Sequence, residues 1–234
     1  MDDPDLRKVI EFPVHRRGFL ADTLRGLPER EDGSALTGTR HEEPVSLLVA
    51  DLRGHRGVAA RLGRARADAG VETALAAAVE VLRSFGGRRV AVGGSTAQPV
   101  VGAEFYGVGH ALTAVTAAVA LRDAAERAAD GIHACSGVNS GSVVDTTVEG
   151  PTPVAYRAMG TLRMLAVRLQ EFAGPGQVFA AAATLAGVPA AAVRFRSIGQ
   201  VRTNAGGETS EAFSLVELVA PAVAARPSPT HAVR

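Results

Sequence analysis

The sequence predicts an α+β domain in which helices cover a mostly antiparallel sheet. Three observations carry that expectation. Short apolar runs with strand character alternate with longer segments of helical period. Two pairs of these runs are joined by short glycine-containing links of the kind that close hairpins. Apolar residues make up 47% of 234 residues, enough for one buried core with appendages but not for two full domains. Aromatics are only 4% and tryptophan is absent, so that core must be built from Ala, Val and Leu.

The elements follow in order. Val45 to Asp51 is an apolar run ending in an acid, a buried strand with a functional group at its C-terminal end. After Gly54, His55 to Gly63 and Val71 to Phe85 have helical spacing, with Leu75, Val79 and Leu82 on one face and Gly86-Gly87 as the stop. Arg88 to Val92 and Pro99 to Ala103 form a hairpin across Gly93-Gly94-Ser95-Thr96. A helix over Gly109 to Ala128 leads into the strand Gly131 to Val138, and Asn139-Ser140-Gly141 turns the chain into Ser142 to Thr147. Gly150-Pro151-Thr152-Pro153 precedes a helix from Tyr156 to Phe172, which Gly174-Pro175-Gly176 ends. Gln177 to Ala180 is a strand, a short helix follows, and Val193 to Ile198 and Ala212 to Leu218 are the last strands.

Residues 1–43 are charged and broken by Pro4, Pro13 and Pro28, an appendage and linker whose Gly18 to Leu24 stretch could form a short helix that packs or docks a protein partner. Residues 44–219 form the globular domain, and 220–234, with Pro221, Pro227 and Pro229, are expected to be disordered. A formal charge of +1, with Lys8 the only lysine and no basic stripe, gives no support to nucleic-acid binding. The acidic N-terminus lacks the apolar core of a signal peptide, and no uninterrupted apolar stretch reaches a membrane span, which predicts a cytoplasmic protein without membrane insertion. The single cysteine, Cys135, excludes an intrachain disulfide and reads as a buried small apolar residue. The six histidines show no pair at metal-ligand spacing.

Four local patterns, in order, resemble the catalytic domain of class III adenylate and guanylate (nucleotidyl) cyclases. Val49-Ala50-Asp51-Leu52-Arg53-Gly54-His55 resembles the family's metal-binding strand end. Gly137-Val138-Asn139-Ser140-Gly141-Ser142-Val143 is similar to its Gly-Ile-Asn-Thr-Gly-Glu-Val hairpin. Tyr156 to Leu169 is similar to its Asp-Tyr-x-x-x-Gly-x-x-x-Asn-x-x-x-Arg-Leu helix, with Tyr156, Gly160, Arg168 and Leu169 retained. Phe195 to Val201, with the strand ending Leu215-Val216-Glu217-Leu218, resembles its closing segment. The resemblance implies a ferredoxin-like core that pairs head to tail, with sites shared across the dimer. Two Asp would hold two Mg²⁺, a Lys and an Asp-type residue would read the base, and an Asn and an Arg would stabilise the transition state.

On that resemblance the site is degenerate. Asp51 stands at the first metal position, with a turn-capping Asp as the structural alternative; Ser95 stands at the second, and no acid occurs from Val90 to Ala103. The base-reading Lys maps to Ala91, its partner to Ala155 and the transition-state Asn to Met164. Arg168 survives as a vestige, facing either a polar pocket or solvent. Losing one preorganised donor costs about 10²–10³ in rate, so several such losses together predict little catalysis. The expectation is a catalytically inactive, dimerising regulatory domain, a homodimer or a heterodimer with another cyclase-like domain, without a cofactor; Mg²⁺ or Mn²⁺ would matter only with residual activity. The alternative is a divergent active cyclase that recruits another acid, Glu104 or Asp145, and a third reading keeps the emptied pocket for a nucleotide or an apolar ligand.

Overall fold

The computed structural model describes residues 40–148, 154–159, 161–202 and 209–219. The elements are β1 (Arg40–Arg53), α1 (His55–Leu62), α2 (Arg64–Ser84), β2 (Arg88–Ser95), β3 (Gln98–Tyr106), α3 (His110–Ala128), β4 (His133–Val148), β5 (Val154–Ala158), α4 (Thr161–Phe172), β6 (Val178–Ala181), α5 (Ala182–Ala186), β7 (Val193–Arg202) and β8 (Thr209–Leu218). They build one sheet in the order β2-β3-β1-β4-β6-β8-β7, with β5 paired to β4. Among the described strands only β4 and β6 run parallel, so the expected α+β architecture with a mostly antiparallel sheet is present.

β1 lies between β3 and β4, and its alternation sorts the interior into two faces. Leu48, Ala50 and Leu52 join α2 and α3 in the main cluster, with Val71, Leu82, Val115 and Leu121. Val45, Leu47 and Val49 point the other way, where Leu162 and Ala166 of α4 cover them. Small side chains let backbones approach closely. A Cβ on Gly137 would stand 2.2 Å from Ala166 O and 2.5 Å from Gln170 N, so β4 can pass under α4 only with glycine there. At the β1–α1 junction Gly54 has φ +120° and a Cβ there would lie 1.9 Å from Gly131 O.

Several boundaries differ from the sequence expectation. β1 starts at Arg40, inside the stretch read as linker, because residues 40–46 pair with β4. α2 begins at Arg64, and its buried stripe is Ala67, Val71, Ala74, Ala78 and Leu82; Leu75 and Val79 flank it. The first hairpin turns at Thr96 and Ala97, leaving Gly93, Gly94 and Ser95 inside β2. Asn139-Ser140-Gly141 is not a turn. It continues β4, where the three residues pair with Leu47, Ser46 and Val45 of β1, and the long-range ladder overrides the local turn preference. Tyr156 lies in β5, paired with Thr146, and the helix starts only at Thr161. The Gly18 to Leu24 stretch, the Gly150 to Pro153 break and the 220–234 tail lie outside the described residues.

Candidate functional site

β1 delivers Asp51 to the α4 side of the sheet, opposite Val100 of β3 and Cys135 of β4. The residue is only 2% exposed. Arg53, two positions on and therefore on the same face, donates from Nε to Asp51 Oδ2 at 2.9 Å. Gln98, the first residue of β3, donates from Nε2 to the same oxygen at 2.8 Å. The rest of the guanidinium reaches the C-terminal end of α4. Nη1 donates to Ala173 O at 2.7 Å, and Nη2 donates to Gln170 O at 3.0 Å with Glu171 O at 3.4 Å. A helix leaves its last carbonyls without internal partners and concentrates the negative end of its dipole there, so a cation is well placed.

Asp51 is shut off from solvent, while Arg53 is partly exposed. Burial pushes the Cys135 thiol up to about 12; the Arg53 charge works against the rise, and the Asp51 carboxylate adds to it. Cys135 is thus a protonated, inert neighbour, not a thiolate. Asp51 Oδ1 and both ends of the Gln170 amide are buried with no hydrogen-bond partner among the described residues. Asn139 donates from Nδ2 to Leu162 O at 3.0 Å and so ties β4 to the first turn of α4.

The donor set does not fit a divalent-metal pair. A metal needs several anionic or lone-pair oxygens converging on one point. Here both groups hydrogen-bonded to Asp51 Oδ2 are N–H donors, one of them cationic. No cluster of three His, Cys, Asp or Glu residues able to hold a metal occurs among the described residues. Neither reserve acid can join Asp51. Glu104 pairs with Leu47, four residues down β1, roughly 13 Å away at the rise of a strand, and is held by Tyr106 Oη and by Arg89 Nε at 3.4 Å. Asp145 pairs with His41, ten residues from Asp51, on the order of 33 Å.

The other sequence-derived positions are distributed as follows. Ala91 is exposed on β2 and pairs with Gly102, itself paired with Val49, so it lies on the Asp51 face two strands away. Ser95 is exposed, and its Oγ accepts from the Gln98 backbone N–H at 3.2 Å, closing the hairpin turn. Ala155 sits in β5 opposite Thr147. Met164 is 43% exposed, and Arg168, one turn further, is half-buried; both lie off the stripe of Leu162, Leu165, Ala166, Leu169 and Gln170 that α4 buries. Within one chain, then, Asp51 lies beneath α4 while Arg168 lies off the stripe that faces the sheet. Ser95 is replaced beside Asp51 by Gln98, since the hairpin turns later than its glycines suggest. Arg53 and Gln98 are the residues that sequence reasoning missed. The alternation of a strand carried a signal for the first, because Asp51 and Arg53 are two apart.

A second polar group lies on the opposite face. His110 Nδ1 and Ser46 Oγ are 2.8 Å apart, Ser46 Oγ and Ser140 Oγ 2.6 Å, and Ser140 donates to Thr184 Oγ1 at 3.1 Å. Thr184 in turn donates to Val138 O at 3.3 Å. Burial lowers the His110 pKa. Ser46 is fully buried, so this hydroxyl chain braces β1, β4, α3 and α5 and offers no accessible nucleophile.

No family model matches the chain, and no curated protein matches by sequence. Solved structures do match by fold. The adenylyl cyclase CyaB from P. aeruginosa superposes with a TM-score of 0.60 at 14% identity, covering 76% of this chain and 96% of that one. The guanylyl cyclase Cya2 gives 0.57 at 17% identity, with 80% and 98% covered. The non-canonical dimeric guanylyl cyclase domain of the RhoGC fusion protein from the aquatic fungus Blastocladiella emersonii gives 0.58 at 14%, with 77% and 99% covered. Among the described residues no helix is long and apolar enough to cross a membrane. These neighbours superpose over about three quarters of the chain and over nearly their whole length, and so the chain has the fold of the class III adenylyl and guanylyl cyclase catalytic domains.

Proposed function

We propose that this chain is a catalytically inactive cyclase-homology domain, a pseudoenzyme that dimerises and acts in regulation by binding a partner or a ligand. One observation carries the reading. Asp51, the acid at the first metal position, is engaged by the guanidinium of Arg53 and the amide of Gln98, and no cluster of three His, Cys, Asp or Glu residues able to hold a metal occurs among the described residues. The substitutions at Ala91, Ser95, Ala155 and Met164 agree with it, since Ser95 lacks the charge of a carboxylate and the side chains of the other three offer neither charge nor the hydrogen bond that nucleotide cyclisation needs. The β2-β3-β1-β4 order with its βαββαβ connection supports a ferredoxin-like core. The dimeric state is carried over from the fungal neighbour, and a cytoplasmic location from the sequence alone.

The test is a direct assay. Purified full-length chain at high concentration, given ATP, GTP, CTP or UTP with Mg²⁺ or Mn²⁺, should form no cyclic nucleotide. Sustained turnover that Asp51→Ala abolishes would falsify the proposal and favour the divergent-cyclase reading. Gel filtration with light scattering should find a dimer.

A further inference from the structure

We propose that Arg53 is a built-in counter-ion that occupies the cation position of the Asp51 site and makes the domain blind to divalent metal. This deepens the non-catalytic reading above and rests on it. The site is electronegative by construction. Asp51 supplies a buried carboxylate from β1, and the end of α4 with the residue after it points carbonyls Gln170 O, Glu171 O and Ala173 O at the same place. A buried carboxylate without a counter-charge is costly, so a cation has to be provided. The chain provides one from two residues away, at 2.9 Å, with hydrogen bonds fanning from one planar guanidinium to both walls. Arginine suits the task because its fork of donors is rigid and it stays charged at any working pH. Gln98 then supplies a neutral donor where a second carboxylate would add a charge that one guanidinium could not neutralise.

The consequence is structural as well as electrostatic. A bound divalent ion comes and goes with its concentration, whereas a side chain does not. The end of β1 and the C-terminus of α4 are held together permanently, and the helix that carries Arg168 cannot be repositioned by metal.

The probe is Mn²⁺ alone, followed by electron paramagnetic resonance and by thermal unfolding of the full chain. Wild-type protein should leave the free Mn²⁺ signal undiminished and unfold at the same temperature in Mn²⁺ as in chelator. The double variant Arg53→Ser with Gln98→Glu removes the resident cation and faces Asp51 with a second carboxylate. It should take up one Mn²⁺ per chain, with a raised unfolding midpoint that the further change Asp51→Asn abolishes. Mn²⁺ uptake by the wild type that is lost in Asp51→Asn overturns the proposal, and so does a folded double variant that ignores Mn²⁺. The wild-type arm decides the matter even if the double variant fails to fold. Asp51-dependent Mn²⁺ binding without turnover would overturn the counter-ion and leave the non-catalytic reading standing. Turnover by a chain that holds no Mn²⁺ would do the reverse.

Discussion

The two faces of the central sheet are built on different terms. Toward α2 and α3 the interior is apolar and made of small groups, with Leu48, Leu52, Leu82 and Leu121 set among alanines. Its main polar intrusion, the Ser46–Ser140–Thr184 chain, finds a partner at every step, and Ser136 Oγ, opposite Ala50, is the one side-chain atom on this face buried without a partner among the described residues. Toward α4 the apolar clusters are smaller and are interrupted by Asp51, Asn139 and Gln170, where polar atoms remain buried without partners among the described residues. Buried polar groups are kept at a cost, and a site is where such cost is tolerated. The first face is scaffold, and the second carries a site whose acid has been turned inward onto the protein's own arginine.

This contrast can be broken experimentally, and the largest effect belongs to the closest contact on the α4 face. Gly137→Ala places a methyl against the α4 backbone, which cannot yield as a side chain would. It should cost at or above the top of the range of about 1–3 kcal/mol for overpacking, read as loss of soluble protein or of a cooperative urea transition. On the scaffold face, Leu82→Ala should cost about 3 kcal/mol by cavity formation, with the urea midpoint lowered and its slope unchanged.

The clamp comes next and sharpens the distinction between site and scaffold. Arg53→Ala strands the buried Asp51 charge and should cost about 2 kcal/mol, discounted because the arginine is partly exposed. Asp51→Asn keeps an acceptor for Arg53 and should cost about 1 kcal/mol. If the aspartate substitution proved the more damaging, Asp51 would be doing something other than receiving Arg53. The smallest effect concerns His110. Burial lowers its pKa, so the unfolded chain binds the proton more readily than the folded one. Its contribution is therefore complete above the unfolded value of about 6.5 and is lost as pH falls from there toward the folded value. Comparison of the urea midpoints of wild type and His110→Gln between pH 8 and 5 should show the flatter profile in the variant.

What the sequence disclosed follows from what is local. The Asp51 strand, the α3 helix, the glycine stops and the first hairpin announce themselves through period and turn chemistry, and all four are present. Asn139-Ser140-Gly141 also carries a local signal, a turn, but its hydrogen bonds go to β1, whose partners lie more than ninety residues away in the chain. Tyr156 reads as helical for the same reason, because its pairing with Thr146 is not visible from its neighbours. The site shows the same division. Asp51 was legible as an acid ending an apolar strand. Gln98 was not, since its reach to Asp51 depends on where the hairpin turns, two residues beyond the glycines. Arg53 could have been read from strand alternation, but the carbonyls it also binds belong to a helix that only the tertiary fold brings near.

The β1–β4 ladder also sets the order in which the chain can assemble. It joins Arg53 to His133 at one end and Arg40 to Thr146 at the other, so it closes a loop of roughly 80 residues or more. Until β4 has been synthesised and docked, β1 can pair only with β3, and its other edge, Val45 through Leu52, stays an open apolar template. Such non-local pairing belongs to the slow class of folding topologies. A nascent chain released before β4 would present that edge to other chains, and truncations within α3 should be recovered as aggregates and not as smaller folded domains.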